Sequence, residues 1–178
     1  SIGTYHTCAL VDYEDGTPGK VHCQGYQYPT GDPGDYDATF SNDPVDLPGE
    51  AVAVDSANAH SCAVMSNGSV YCWGANLYGQ AGVGYRCVSG GEETCDGEYL
   101  PVGVPMILPT GRTAVAIDAY SDKTWVVLDD HTLICAGYCD EPLATPQYVN
   151  GSIRYTTVFD GYAIDTNGRL RTSPHETS

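Results

Sequence analysis

The sequence predicts an all-β protein made of repeats of one hairpin. Three observations predict it: an apolar alternation recurring four times, a composition rich in turn formers, and an even number of closely spaced cysteines. Of 178 residues, 21 are Gly, 11 are Pro and 14 are Tyr, while only 17% are charged. That balance suits short strands joined by turns and gives long helices little support.

The first hairpin joins His6-Thr7-Cys8-Ala9-Leu10 to Val21-His22-Cys23-Gln24-Gly25, with a turn lengthened around Asp15-Gly16-Thr17-Pro18-Gly19. The second unit opens with Ala51-Val52-Ala53-Val54-Asp55, continues in Ser61-Cys62-Ala63-Val64-Met65 and returns in Val70-Tyr71-Cys72-Trp73-Gly74. Ala114-Val115-Ala116-Ile117-Asp118 starts the third unit 63 residues after Ala51, followed by Thr124-Trp125-Val126-Val127-Leu128 and Leu133-Ile134-Cys135-Ala136-Gly137. A last hairpin runs from Gly161-Tyr162-Ala163-Ile164-Asp165 through Thr166-Asn167-Gly168 to Arg169-Leu170-Arg171-Thr172. The units fall at 1–50, 51–113, 114–156 and 157–178 of a single repeat domain spanning 1–178.

Asn67-Gly68 and Asn167-Gly168 supply what a tight hairpin needs, since both residues tolerate positive φ. Apolar side chains alternate with small or polar ones along each arm, so one face can be buried. No unit is large enough to bury that face alone. Stacked neighbours are required, as in solenoids and propellers.

Charge narrows the partners. With 23 acidic side chains against 7 basic ones the net charge is −16, and unaided binding to nucleic acid or an anionic membrane would work against repulsion. No stretch approaches the roughly 18 uninterrupted apolar residues of a membrane span, and no basic segment followed by an apolar one stands at the start. The expectation is a soluble, already processed product or a piece of something longer. Eight cysteines exceed what a reducing compartment would require and predict disulfides in an oxidising space. Cys135-x3-Cys139 and Cys87-x7-Cys95 could form halves of a zinc site, but neither has a CxxC knuckle and no His stands at a matching spacing. Asn67-Gly68-Ser69 and Asn150-Gly151-Ser152 are glycosylation sequons that mark exposed turns.

The run from His60-Ser61-Cys62-Ala63-Val64 through Asn67-Gly68-Ser69-Val70-Tyr71-Cys72-Trp73-Gly74-Ala75-Asn76 to Tyr78-Gly79-Gln80-Ala81-Gly82 closely resembles the repeat of the regulator of chromosome condensation family. So does Leu108-Pro109 leading into the Ala-Val-Ala-Ile strand. The second unit matches almost throughout, the first and third match in the hairpin, and the fourth keeps little beyond it. The resemblance implies β-propeller-like repeats with four-stranded blades, in which the Trp-Gly-x-Asn-x-x-Gly-Gln stretch forms a buried turn. Family propellers usually close with seven blades, so three repeats and a terminal hairpin make an incomplete propeller.

The repeat register in turn implies a disulfide pattern. Cys62 and Cys72 fall nearly opposite on adjacent strands, and Cys8 and Cys23 do the same in the first hairpin. In the third unit Trp125 replaces the Cys62 equivalent, so Cys135 pairs with Cys139, and Cys87 with Cys95 closes the Arg86–Gly97 insertion. Eight cysteines allow 105 connectivities, and only the repeat logic narrows them.

The chain begins just after where an Ala-Val-Ala-Val strand would belong, and the fourth unit shows none of its own. An exposed repeat edge is a template for pairing, and head-to-tail pairing that does not close makes a filament. The expected role is a secreted, non-enzymatic structural subunit that self-assembles into a homo-oligomer or filament at the cell surface or outside it. Two rivals remain open, a longer propeller chain of which this is part and a compact four-unit monomer. In the former the role would be an extracellular binding module for a protein, a carbohydrate or an enzyme to be inhibited.

Catalytic chemistry has no nominated residues. Among His6, His22, His60, His131 and His175, the equivalence of His6 and His60 predicts a structural ring bonded to a turn carbonyl. No Gly-x-Ser-x-Gly elbow, phosphate-cradling loop or His-Glu-x-x-His is present, and Asp129-Asp130 belongs in a turn. No cofactor or structural metal is expected. Asp32, Asp35 and Asp37 resemble an oxygen-rich calcium loop without EF-hand spacing, and a solvated loop explains them more simply. Tyr26, Tyr28, Tyr36, Tyr78, Tyr85, Tyr99 and Tyr138 crowd the segments between strands, where their rings suit glycan stacking, protein contacts or core filling.

Overall fold

A computed structural model describes residues 1–12, 19–25, 43–88, 95–149 and 151–172 of the chain. Asp32, Asp35, Asp37, Asn150, His175 and the tyrosines at 26, 28 and 36 lie outside the described residues.

Thirteen strands form four antiparallel sheets among the described residues. Sheet one pairs β1 (His6–Val11) with β2 (Lys20–Gly25). Sheet two has the order β3 (Ala51–Ser56), β4 (His60–Met65), β5 (Val70–Ala75), β6 (Tyr99–Leu100). Sheet three repeats it with β7 (Ala114–Tyr120), β8 (Lys123–Leu128), β9 (Leu133–Tyr138) and β10 (Pro142–Val149). Sheet four holds β11 (Tyr155–Phe159), β12 (Tyr162–Asp165) and β13 (Leu170–Thr172). Each sheet is a meander, and the sheets stack in chain order as propeller blades. No helix among the described residues is long and apolar enough to cross a membrane.

The apolar cores lie in the seams between blades. Cys8, Val21 and Cys23 of blade one pack against Ala63, Met65 and Trp73 of blade two. Cys62, Val64 and Val70 on the opposite face of blade two meet Ile117, Val126 and Ile134 of blade three. Trp125, Val127 and Leu133 meet Tyr155, Val158 and Ala163 of blade four. Because successive residues of a strand face opposite ways, a strand covered on both sides is buried throughout. That is the state of β4, all six residues of which are buried, and nearly that of β8. In β1 and β12 burial alternates, so blades one and four each keep one open face.

Two expectations need correction. The fourth unit is a three-stranded sheet rather than a hairpin, and the boundary drawn between 156 and 157 cuts through β11. β11 is the counterpart of β3 and β7: all three share a register shift at the same place, between Ala51/Ala53, Ala114/Ala116 and Tyr155/Thr157. The unit therefore does have its own first strand. The Asn67-Gly68 turn is also looser than a two-residue turn. Gly68 donates to the Met65 carbonyl (2.8 Å), Met65 to Ser69 (2.9 Å), and only Gly68 takes positive φ, at 79°. This is a type I turn closed by a left-handed residue. Asp165–Arg169 repeats it around Gly168, and Leu128–Thr132 repeats it with His131 at φ 64° in the glycine position.

Candidate functional site

Each seam is closed by polar contacts that recur from blade to blade. At the outer hairpin, the amide opening each blade donates to the turn of the blade before it. Ala51 donates to Gly19 (3.3 Å), Ala114 to Gly68 (2.8 Å) and Tyr155 to His131 (2.8 Å). The His131 ring reaches the same seam, with Nδ1 3.1 Å from the Tyr155 carbonyl oxygen.

At the other end of the seam, a side chain at the Asp55 position, four residues after Ala51 and likewise after Ala114, accepts from the next blade. The Ala119 amide donates to Oδ2 of Asp55 (2.8 Å) and the Gly161 amide to Oδ2 of Asp118 (2.9 Å). Ser1 stands five residues before His6, as Asp55 does before His60, and its Oγ accepts from the Ser56 amide (3.0 Å). The Ser1 hydroxyl also donates to Oδ1 of Asp55. These corners surround a hollow of about 420 Å³ lined by Ser1, Asp55, Asp118 and Asp160 among others. Burial raises the Asp118 carboxyl to about 6; the Gly161 amide opposes that rise, while the charge of Asp55 adds to it.

Between these contacts sits a histidine latch. Nε2 of His6 lies 2.5 Å from Oγ of Ser61, and Nε2 of His60 lies 2.9 Å from Oγ1 of Thr124. Both rings are buried, which drives His6 down to about 4 and His60 to about 3, the latter lowered further by His6. The rings therefore bond a hydroxyl of the following blade, not the turn carbonyl expected from their equivalence. Sequence reasoning missed Ser61 and Thr124 as partners. The signal was the hydroxyl directly following the latch position, in Thr7, Ser61 and Thr124 alike.

The structure joins Cys8 to Cys23, Cys62 to Cys72, Cys87 to Cys95 and Cys135 to Cys139, with Cα separations of 4.1, 4.0, 5.6 and 6.3 Å. The first two bridge residues paired directly across a hairpin. In blade three, Trp125 occupies the place opposite Cys135. Among the described residues no group of three or more His, Cys, Asp or Glu side chains is placed to hold a metal ion. Asp129 and Asp130 lie in a turn, each 3.3 Å from the Arg112 guanidinium, and Thr132 holds the Asp130 carboxyl below the usual range. Asn67 is exposed, its side-chain oxygen accepting from the Ser69 amide and hydroxyl. Tyr78 and Tyr138 meet edge to face at 5.5 Å, while Tyr85 and Tyr99 are half-buried.

The Trp73-to-Gln80 stretch forms an internally bonded turn. Asn76 is buried; its side chain donates to the Tyr85 carbonyl (3.0 Å) and accepts from the Ala81 amide (3.0 Å). Gly79 and Gly82 lie against Ala144 and Pro146 of blade three, so this turn also belongs to a seam.

Residues 52–80 match the regulator of chromosome condensation (RCC1) repeat. No curated protein matches the chain significantly in sequence. Among solved structures, a chain in the crystal structure of Kap60 bound to yeast RCC1 (Prp20) superposes with a TM-score of 0.71 at 20% identity, over 94% of this chain and 41% of that one. Prp20p from Saccharomyces cerevisiae gives 0.70 at 19% over 94% and 43%, and human WBSCR16 gives 0.66 at 19% over 94% and 44%. The chain spans less than half the length of each. Residues 52–80 thus carry a match to the RCC1 repeat, and the four antiparallel sheets in propeller succession share the fold of part of an RCC1 propeller.

Proposed function

We propose that this chain is a non-enzymatic extracellular module that works by docking further propeller blades onto its open faces. One observation carries the proposal: burial is continuous along β4, whereas along β1 it alternates and leaves Thr7 and Ala9 exposed. Tyr162 is likewise exposed on the far side of blade four, beside Phe159. Four disulfides support an oxidising compartment, since cytosolic thiols are kept reduced. Asn67, exposed in its turn, is a glycan acceptor in this reading.

A head-to-tail filament of identical copies is the second reading, favoured by the presence of two opposite open faces in one molecule. Amide exchange and light scattering of the oxidised chain test the two separately. An open first blade requires rapid exchange at Ile2 and slow exchange at the equivalent amides of Ser56 and Ala119; equal protection of all three overturns the docking proposal. A mass that rises with concentration supports identical copies as the occupants, and a constant 18.9 kDa removes the filament.

A further inference from the structure

Granted that the first blade docks another blade, as proposed above, we infer that its open face is matched to a blade carrying a histidine at the His60 position and an acceptor, aspartate or serine, at the Asp55 position. The chain's own fourth blade is not such a blade.

The latch residues occur as pairs. His6 faces Ser61 and His60 faces Thr124, and both hydroxyl residues are fully buried. At the seam between blades three and four the histidine position is Lys123 and the hydroxyl position is Gly161, so both partners are absent together. Lys123 turns instead to the Trp125 ring, its Nζ 5.1 Å from the centroid. Thr7 keeps the hydroxyl of the pair, yet it is exposed. Ile2, 82% exposed, aligns with Ser56 and Ala119, whose amides donate across the seam. The local bridge between Ile2 and Thr7 is closed through Gly3 to His6 and Cys8 to Ser1, and does not use the Ile2 amide. The first blade thus presents a hydroxyl and an amide at the spacing that the first two seams fill with an imidazole and a carboxylate or hydroxyl.

Blade four cannot complete that set. Counting back from the shared turn, Asp165 matches Met65, so Asp160 occupies the histidine position. Phe159, the counterpart of Asp55 at the end of the first strand, offers no acceptor. Docking it onto blade one would leave the Ile2 amide without an acceptor, and would bury a carboxylate where the first two seams hold a neutral ring.

The test is an extended chain in which a copy of residues 51–117 is joined directly to Ser1. Ile117 then precedes Ser1 as it precedes Asp118, and the copied Ala114–Ile117 segment supplies blade one with a first strand. Thr7→Val and, in the copy, His60→Gln are made singly and together, and urea unfolding is followed with Ile2 amide exchange. The expected result is one unfolding transition and Ile2 exchange slowed by about 100-fold. Thr7→Val, silent in the 178-residue chain, should then lower the midpoint non-additively with His60→Gln. If the added blade docks but the two substitutions are additive or silent, the histidine match is overturned and docking stands. If the added blade unfolds separately and Ile2 exchange is unchanged, docking itself fails.

Discussion

Nε2 of His60 sits 2.9 Å from Oγ1 of Thr124 across the seam between blades two and three, with both side chains out of solvent. A double-mutant cycle reads the strength of this pair. Thr124→Val leaves a buried ring nitrogen without its partner and should cost about 1–3 kcal/mol. Once His60→Ala has removed the ring, the same substitution should cost much less. Urea unfolding of the four proteins checks it, and additive losses would show that the two side chains do not interact.

Acid sensitivity follows from the same residues. His6 and His60 titrate at about 4 and about 3 in the folded chain against 6.5 as model groups, chiefly because of burial. As pH falls below 6.5 the unfolded chain takes up protons that the native chain refuses, so stability declines toward pH 4 for His6 and pH 3 for His60. Asp118 opposes this: raised to about 6 from 3.8, it gives the native chain an extra proton between those values. Two protons against one leave a net loss on acidification. The urea midpoint should drop between pH 7.5 and 4.5, less in His60→Gln and more in Asp118→Asn. A midpoint rising on acidification would contradict the assignment.

The Cys62–Cys72 bridge, with a sequence separation of 10, lies in the core shared by blades two and three. Replacing both cysteines by Ala should lower the unfolding free energy by about 2–4 kcal/mol, from lost loop restraint together with lost packing. Thermal unfolding with and without reductant measures it. In this variant, reductant should produce a smaller shift than in the parent chain, by the share that this bridge contributes.

Gly25, Gly74 and Gly137 are paired with His6, His60 and Lys123, and all three take positive φ. At Gly74, φ is 93° and an added Cβ would run into the Ala59 carbonyl. Gly74→Ala should therefore destabilise by about 1–3 kcal/mol or more, combining strain with a clash against backbone. Gly111→Ala, at φ 76° with nothing near the added carbon, isolates the strain alone and should cost less. Equal losses would remove close approach as the reason for glycine at position 74.

Much of the fold was legible because strands of period two repeat in register: Ala51–Asp55 and Ala114–Asp118 differ only in Val54 against Ile117, and β3 and β7 share a bulge. β11 was illegible for the converse reason. Tyr155-Thr156-Thr157-Val158-Phe159 keeps the burial of the strand but not its alanines, because Tyr155 fills space in the last seam. Glycine at 68 was readable as a turn, but its exact form was not, since Asn67 keeps ordinary backbone angles and passes the positive φ to its neighbour. The latch was hidden more deeply. His60 and Thr124 are 64 residues apart, and only the stacking order of two blades brings them together.

The most direct test of the stacked arc compares Thr7→Val with Thr124→Val, two threonines at the same repeat position, one on an open face and one in a seam. Equilibrium urea unfolding of the oxidised chain should show a loss of about 1–3 kcal/mol at Thr124 and less than about 0.5 kcal/mol at Thr7. Equal losses at the two positions would mean that the face of blade one is already covered, contradicting the account.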